Sequence, residues 1–378
     1  MSVLERGAVL PVYARQDVTF VDGDSCWLTD SRGRRYLDFA AGIAVVGLGH
    51  RHPAATAAAR AQLERLWHVS NLYWTEPMVA LAERLSARFG GAQAFFCNSG
   101  AEAVEAALKY ARKTTGKPGV VALEGSFHGR TLGALSVTGQ PAKQAGFGPL
   151  LAGVSFARLN DVESLRSAAG PDTGLLLIEP VLGEGGIRPA EPEFLEAAAE
   201  LAFELGALLC LDEVQAGVGR TGTFFAFEQA PVRPALVTLA KGLANGLPAG
   251  VLLVAEEVSG GFAPGDHAST FGGNPVACAA ACAVCDAITD ELLEHVAETG
   301  AGLAAGLAGI SGVEEVRGRG LLLGAELDRR AADVAAVCLE LGLLVTTAGE
   351  QTLRLTPPLA VGEAEVERAL NLLAEALA

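Results

Sequence analysis

Six short apolar runs recur along the chain, and segments of helical length separate most of them. The runs lack polar alternation, which is typical of strands that are covered on both faces, and connections of this length join parallel strands. We therefore predict an α/β fold in which helices sandwich a mostly parallel central sheet. The predicted strands are 94–97, 120–123, 175–178, 207–211, 235–240 and 250–255.

Three charged residues stand where predicted strands end. Glu179 follows the third strand, Asp212 the fourth and Lys241 the fifth. Ligands of open parallel sheets bind outside the carboxyl ends of the strands, so one pocket is expected to collect all three side chains. A lone lysine is more often a solvated surface charge, but a desolvated lysine has a lowered pKa and becomes a nucleophile.

The segment CNSGAEAVEAALKYAR, 97–112, is expected to open a helix directly after a strand. Ser99 and Glu102 have the spacing of a capping box, and Gly100 allows a ligand to approach the backbone closely. The free N–H groups and the dipole of such a first turn suit a phosphate, although plain helix caps have the same pattern. With a phosphate here, Asp212 has the chemistry to keep a heterocyclic nitrogen protonated, as proteins do to tune pyridoxal phosphate.

The two ends of the chain differ from the middle. The C-terminal third predicts a helix over 286–308, strands in VEEVRGRGLLLGAEL, a helix around 331–341, further strands and a closing helix. The segment FVDGDSCWLTDSRGRRYLDF predicts a hairpin, with turn signals at 22–23 and 31–33. We expect a large α/β domain over 48–285 and a smaller α+β domain built from 1–47 and 286–378.

Composition excludes several classes of partner. Half of the 378 residues are apolar, the formal net charge is −16, and no basic run exceeds two residues, so nucleic acid would be repelled. No apolar stretch reaches the roughly 18 residues of a membrane span, and the N-terminus lacks the pattern of a signal peptide. Seven scattered cysteines favour reduced thiols, so we expect a cytoplasmic protein without membrane partners.

Six ordered motifs resemble those of the class III (subgroup II) pyridoxal-phosphate aminotransferases. The resemblance covers nearly the whole chain, from 36–53 to 352–359, and implies fold type I of the pyridoxal-phosphate-dependent transferases. The motifs are FFCNSGAEAVEAALKYAR, EGSFHGRTLGALS, IEPVLGEGG, LLCLDEVQAGVGRTG, TLAKGL and STFGGNPVAC.

The resemblance implies one pyridoxal 5'-phosphate per subunit, bound covalently to Lys241, with Asp212 at its ring nitrogen. It further implies that a homodimer shares the active site, because the residue matching Thr270 would reach the neighbouring subunit's phosphate site. The remaining implied cofactor contacts are Ser99, Gly100 and Ala101 at the phosphate, Phe127 and Val214 on the ring faces, Gln215 at the phenolic oxygen, and Glu213 beside them.

The implied substrates are amino and keto acids, and the resemblance is greatest to members that act on N2-acetyl-L-ornithine and 2-oxoglutarate in arginine biosynthesis. Such ping-pong transamination yields N-acetylglutamate 5-semialdehyde and glutamate. Arg130 would bind the donor's carboxylate and Arg354 the α-carboxylate of glutamate. Glu184 would pair with Arg354 when the acetylated donor is bound and move away for glutamate, and Ser269 would lie near the substrate chain.

Other donors stay open at this level: ornithine, succinylornithine, 4-aminobutyrate or a carrier-linked lysine-pathway substrate. Ile43 stands where ornithine-using relatives carry tyrosine, which weakens the ornithine hypothesis but leaves 4-aminobutyrate. Leu182 and Val104 also depart from the family pattern, where glutamine and asparagine are frequent.

Two other classes of protein, an iron–sulfur enzyme and a catalytically silent relative, are also compatible with parts of the sequence. Cys278, Cys282 and Cys285 have a spacing that iron–sulfur enzymes use, yet in an alanine-rich segment it predicts one buried helix face. No metal site is predicted, because His50 and His52 lack a third ligand at suitable spacing, and His128, which lies within the FHGR motif, is expected to have a structural role. A catalytically silent relative would be expected to lack Lys241 or Asp212, and both are present.

Overall fold

The computed structural model describes residues 8–378, and its N-terminal part forms a small antiparallel sheet. This sheet contains β1 (Phe20–Asp24), β2 (Trp27–Asp30) and β3 (Arg35–Asp38), and the short helix α1 (Ala41–Ala44) follows. The turn predicted at 22–23 is wrong, because these residues lie inside β1 and the chain turns at Ser25, whose φ of 51° is left-handed. The predicted turn at 31–33 is confirmed, since the Asp30 carboxylate accepts the N–H groups of Arg32 and Arg34 there.

The middle of the chain alternates helices with strands. Its helices are α2 (Pro53–Leu63), α3 (Glu76–Phe89), α4 (Gly100–Thr115), α5 (Leu132–Ser136), α6 (Pro141–Gln144), α7 (Val162–Ala168) and α8 (Pro192–Leu205). Its strands are β4 (Ala92–Cys97), β5 (Gly119–Leu123), β6 (Val154–Ala157), β7 (Thr173–Ile178), β8 (Val181–Leu182), β9 (Arg188–Pro189), β10 (Leu208–Asp212), β11 (Leu236–Leu239) and β12 (Gly250–Ala255).

Seven of these strands form the central sheet, in the order β4-β12-β11-β10-β7-β5-β6. Only β12 runs against its neighbours, β11 and β4, so the prediction of a mostly parallel sheet is confirmed. All six predicted strands are present. The edge strand β6 was not predicted, because its side chains are partly exposed and it does not form a continuous buried run.

Alternate residues of the central strands pack into two different hydrophobic clusters. In β7, for example, Leu176 and Ile178 belong to one cluster, whereas Leu175 and Leu177 belong to the other. Helix α4 supplies much of the second cluster, and α3 and α8 contribute to the first. Because successive side chains of a strand point to opposite faces, the sheet is covered on both sides, as predicted.

The C-terminal third contains four helices and a second small sheet. Its elements are α9 (Pro275–Ala287), α10 (Asp290–Ala308), β13 (Val313–Arg319), β14 (Leu322–Leu327), α11 (Ala331–Leu341), β15 (Leu343–Leu344), β16 (Thr346–Thr347), β17 (Thr352–Leu355) and α12 (Glu363–Leu377). The helix predicted at 331–341 is confirmed. The helix predicted at 286–308 starts later, because Thr289 caps α10 by accepting the Leu292 N–H group.

The two ends of the chain meet in one sheet. Strand β15 pairs in parallel with β3, where Leu343 lies opposite Leu37 and Leu344 opposite Asp38. The other C-terminal strands form a separate sheet in the order β13-β14-β17-β16. The pairing joins a strand from the N-terminal part of the chain to one from its C-terminal third, while the proposed domain boundaries at 48 and 285 stay a prediction. Across residues 8–378, no helix is both long enough and apolar enough to cross a membrane.

Candidate active site

A cavity of about 430 Å³ opens at the carboxyl edge of the central sheet. Strands β4, β5, β7, β10 and β11 all end at this edge, since they share one direction. The prediction that Glu179, Asp212 and Lys241 meet in one pocket is confirmed, because all three line the cavity.

Asp212 is the last residue of β10 and is held in one orientation. Its side chain is buried, and its Oδ1 atom accepts hydrogen bonds from Thr238 Oγ1 (2.9 Å) and the Val214 N–H group (3.1 Å). His128 Nδ1 donates to Oδ2 over 2.6 Å, since a carboxylate only accepts. Burial alone would lower the pKa of His128, but the hydrogen bond to Asp212 and its charge outweigh burial and raise it. The result is a fixed acidic group facing the cavity, suited to a protonated ring nitrogen.

Lys241 lies two residues beyond β11 and begins a short 3-10 turn. Its φ of 31° lies in the left-handed region, which a non-glycine residue occupies only where the surrounding structure enforces it. Burial, followed by the charge of Arg354, lowers the pKa of Lys241 from 10.5 to about 8. Within the described part of the chain its Nζ atom forms no ion pair. The lowered pKa leaves far more of the amine neutral near pH 7 than an ordinary lysine has, which makes it a usable nucleophile.

The predicted capping of α4 is confirmed. Ser99 Oγ accepts the Glu102 N–H group over 3.3 Å, and the Glu102 carboxylate accepts the Asn98 N–H group over 2.8 Å. The N–H groups of Gly100 and Ala101 border the cavity and have no acceptor among residues 8–378. Free N–H groups at the start of a 16-residue helix form an anion site.

Gly100 is required by close packing at this site. A Cβ atom there would lie 2.7 Å from Val214 Cγ1, closer than real side chains approach. Val214 and Phe127 both line the cavity, as does Gln215, so the wall offers two apolar surfaces beside the fixed carboxylate. This arrangement fits a flat aromatic ring that carries a phosphate.

Two arginines lie at different depths. Arg130 is exposed at the rim, where it lines the cavity, and its Cζ atom lies 5.6 Å from the centroid of the Phe127 ring. Arg354, on β17, is buried, and its Nη1 atom donates to Glu184 Oε1 over 2.5 Å and to Gln215 Oε1 over 3.2 Å. The predicted pairing of Glu184 with Arg354 is therefore present, and neither residue lies on the cavity wall itself.

Ser269 and Thr270 border a different cavity. This second space of about 720 Å³ is lined on one side by aromatic and apolar side chains that include Leu72 and Trp74. Ser269 Oγ still accepts a hydrogen bond from Asn98 Nδ2 over 3.2 Å, next to the start of α4. Thr270 does not border the cavity that contains Lys241 of its own chain.

Glu213 departs from the prediction that it contacts a cofactor. Its carboxylate points into the protein, where it accepts the N–H groups of Ala226 (2.7 Å) and Phe227 (2.8 Å) and caps the 3-10 turn Ala226–Gln229. It does not line the cavity. The physical reason is strand alternation: Asp212 faces the cavity, so the next side chain faces away from it.

Sequence reasoning gave His128 only a structural role, noted Glu179 only as a strand-end charge, and did not single out Lys143. Burial raises the pKa of Glu179 to about 7, and its carboxylate accepts the Phe127 N–H group over 2.9 Å, which fixes the loop that carries Phe127. Lys143 lies on α6, and its ammonium group is near the Glu184 carboxylate. The FHGR motif contained a signal for His128, whereas nothing local marked Lys143.

The cysteine motif forms part of the core, as predicted. Cys278, Cys282 and Cys285 all lie on α9, where Cys278 and Cys285 are buried, and burial raises the pKa of these two thiols to about 12. In the described part of the chain, no three His, Cys, Asp or Glu side chains are grouped so that they could hold a metal ion.

Comparisons with known proteins agree with this geometry. The sequence model of the family described as aminotransferase class-III matches residues 12–377. An acetylornithine aminotransferase of Archaeoglobus fulgidus is 45% identical over 369 residues, which cover 98% of each chain.

Two solved structures are also similar. The N-acetylornithine aminotransferase of Stenotrophomonas maltophilia is 37% identical, with a TM-score of 0.85 over 97% of this chain and 96% of that one. The ornithine aminotransferase of Toxoplasma gondii, whose description reports partial occupancy of PLP at the active site, is 31% identical, with a TM-score of 0.93 over 98% and 92% of the chains.

The fold and the cavity fit an enzyme with a phosphate-bearing aromatic cofactor at the carboxyl edge of its central sheet. The chain belongs to the class III aminotransferases. It is a pyridoxal-phosphate-dependent transaminase whose substrates are amino and keto acids. The free first-turn N–H groups, the fixed Asp212 carboxylate and the lining Lys241 fit that cofactor.

Proposed function

We propose that the enzyme transfers the terminal amino group of N2-acetyl-L-ornithine to 2-oxoglutarate, giving N-acetylglutamate 5-semialdehyde and L-glutamate in arginine biosynthesis. The observation that carries this choice is the pairing of Glu184 with Arg354 while Arg130 stays open at the rim. In this state the cavity receives an amine whose carboxylate lies far from the reacting nitrogen. The names of the relatives at about 45% identity support the same donor.

The charges at the rim favour an acylated donor over free ornithine. Arg130 and Lys143 both approach the Phe127 ring, at 5.6 and 4.8 Å from its centroid. A free α-ammonium group beside the bound carboxylate would meet these like charges, whereas an N-acetyl group is neutral. A planar guanidinium at the rim is well suited to bind the carboxylate with two hydrogen bonds.

Residues of this chain would hold the cofactor at three points. Lys241 would bind it covalently, Asp212 would hold the proton of the ring nitrogen, and the N–H groups of Gly100 and Ala101 would bind the phosphate. Val214 and Phe127 would enclose the ring, and Gln215 would reach its phenolic oxygen. Bound there, pyridoxal phosphate supplies an electron sink for the charge left on the substrate carbon when a proton is removed.

Lys241 would transfer the proton in the reaction, and Glu184 would control whether Arg354 is free to bind substrate. The Lys241 amine, with a pKa of about 8, accepts the proton from the substrate carbon that bears nitrogen and later returns a proton. Glu184 covers Arg354 while the acetylated donor is bound. When 2-oxoglutarate or glutamate enters, Glu184 leaves and the Arg354 guanidinium binds the α-carboxylate, so one cavity accepts two different substrates in turn.

An exposed apolar surface supports the proposed homodimer. Leu72 is 84% and Trp74 85% exposed, and Tyr73, Trp67 and Phe271 are also largely exposed beside Thr270. Contiguous apolar surface of this kind marks interfaces. A second copy packed here would bring Thr270 toward the partner's phosphate site. We also propose a cytoplasmic location, which the seven unpaired cysteines support.

The test is the visible spectrum of the purified holoenzyme before and after addition of N-acetylornithine, ornithine or 4-aminobutyrate. The cofactor band should fall with N-acetylornithine, recover with 2-oxoglutarate, and change far less with the other two amines. A response to only one of the other amines would overturn the proposed donor. Lys241→Ala is the matched control, in which no amine should start turnover.

A further inference from the structure

Lys143 is a half-buried cation beside the substrate end of the cavity, close to the Glu184 carboxylate. We propose that Lys143 is a specificity-determining residue of the acceptor half-reaction: it receives the Glu184 carboxylate when Arg354 binds the carboxylate of 2-oxoglutarate or glutamate. The inference rests on the proposed function in one respect, namely that Glu184 must leave Arg354 between the two half-reactions.

The Glu184 carboxylate already lies between two cations. Its Oε1 atom is 2.5 Å from Arg354 Nη1, and its Oε2 atom is 3.9 Å from Lys143 Nζ. A small rotation of Glu184 is therefore enough to exchange one partner for the other. Arg354 is 2% exposed, whereas the side chains of Lys143 and Glu184 are 25% and 22% exposed, so the exchange moves the carboxylate from a buried cation to a more exposed one.

The backbone around Lys143 is fixed on both sides. Gln140 Nε2 donates to the Gly125 carbonyl over 3.1 Å, and Gln144 Nε2 donates to the Thr138 carbonyl over 2.9 Å. The Lys143 ammonium itself lies 4.8 Å from the centroid of the Phe127 ring, a favourable cation–π distance. Only the lysine side chain is left to adjust, and it points to the region that Glu184 would enter.

The surrounding charges leave Lys143 as the suitable partner. Arg130 is committed to the substrate's distal carboxylate, Lys241 to the chemistry, and Glu179 has the same charge as Glu184. Burial, and then the positive charges of Arg130 and Arg354, lower the pKa of Lys143 despite the opposing effect of Glu184. A carboxylate that comes closer would therefore stabilise the Lys143 ammonium group. A partly buried carboxylate that loses one partner without gaining another is strongly disfavoured. Lys143 supplies the second partner for Glu184, so Arg354 becomes free to bind a substrate carboxylate.

The test compares the half-reactions of Lys143→Met by stopped-flow absorbance of the holoenzyme. The apparent affinity for glutamate, and for 2-oxoglutarate in the reverse half-reaction, should fall about tenfold, as expected for loss of one partly desolvated charge pair. The affinity for N-acetylornithine should change by less than about twofold, because Glu184 keeps Arg354 in that state. Lys143→Arg should restore most of the lost affinity, and Lys113→Met, at an exposed lysine paired with Asp266, should behave as the wild type.

A second comparison isolates the proposed exchange. In a Glu184→Gln background there is no carboxylate to receive, so Lys143→Met should cause no further loss for glutamate. Equal losses for glutamate and N-acetylornithine, no loss for either, or full additivity with Glu184→Gln would overturn the proposal. Lys143→Gln, measured in parallel, preserves the polar side chain if the methionine variant folds poorly.

The same data separate the two proposals. If the wild type reacts with glutamate but not with N-acetylornithine, the proposed donor is wrong, while the Lys143 test still stands on glutamate and 2-oxoglutarate. If N-acetylornithine reacts as proposed and the Lys143 variants show no selectivity, only the Lys143 inference fails.

Discussion

The two ends of the cavity are built differently. At the cofactor end, Asp212 is held by three donors and the first turn of α4 is capped by its own side chains, so each polar group has one arrangement. At the substrate end, Arg130 is open at the rim, and Glu184 lies between Arg354 and Lys143 just behind the wall formed by Gln215. The difference indicates that the chemistry is fixed by rigid partners, whereas specificity depends on charges that have a choice of partner.

Removal of Lys241 should have the largest effect. Lys241→Ala should reduce turnover by about 10⁴-fold or more, because both the covalent attachment and the proton acceptor are lost. The fold should persist, since Lys241 forms no ion pair within the described residues. Steady-state kinetics and thermal unfolding, measured on the same preparation, check both statements. Retained transamination would show that Lys241 neither binds the cofactor nor accepts the proton.

Arg130→Ala should act on the substrate end alone. We expect KM for N-acetylornithine to rise about 10- to 100-fold, because the cation that binds the donor carboxylate is lost, while the affinity for pyridoxal phosphate stays within about twofold. Arg130→Lys should recover part of the loss, since a lysine keeps the charge but not the planar fork. Equal losses of donor and cofactor affinity would show that Arg130 belongs to the rigid end.

The protonation of Lys241 can be measured without turnover. In the cofactor-free protein, acetylation of Lys241 by a trace of acetic anhydride should reach half of its maximum near pH 8, because burial and Arg354 lower its pKa from 10.5. Mass spectrometry of the labelled peptides gives the profile, with the exposed Lys113 as an internal control. A half-maximum near 10.5 would show that the cavity does not desolvate this amine.

Glu213→Gln should have the smallest effect on activity, because the Glu213 side chain lies behind the cofactor end of the cavity and does not line it. Losing one of two accepted N–H bonds should lower the free energy of unfolding by about 1–3 kcal/mol, with cofactor affinity within about twofold. Burial raises the pKa of Glu213 from 4.5 to about 8, so its contribution is fully present below pH 4.5 and is lost as pH rises toward 8. Urea unfolding at pH 5 and pH 8.5 should show the larger difference at pH 5; a large loss of cofactor affinity would contradict this assignment.

The rigid end was largely predictable from sequence, because its residues follow apolar strands whose carboxyl ends must meet. Glu179, Asp212 and Lys241 were all placed by this rule, and Gly100 was placed by the helix that opens directly after a strand. Glu213 was misplaced although alternation along the strand contains the correct answer. The relation of Lys143 to Glu184 was not predictable, since the two residues lie on different segments, 41 positions apart, and no local pattern predicts their approach.

Strand β12, which runs against its neighbours, limits the mobility of the segment that carries Lys241. The residues between β11 and β12 leave and re-enter the sheet between hydrogen-bonded neighbours, with Leu239 opposite Val251 at the base. The segment that carries Lys241 is thus closed like a hairpin in the middle of the sheet. The amide hydrogens of the paired strands β11 and β12 at its base should exchange with solvent mainly when the whole sheet opens, on the slowest timescale of the molecule. An enzyme anchored in this way can change its substrates by altering the cavity rim while its reactive amine stays in place.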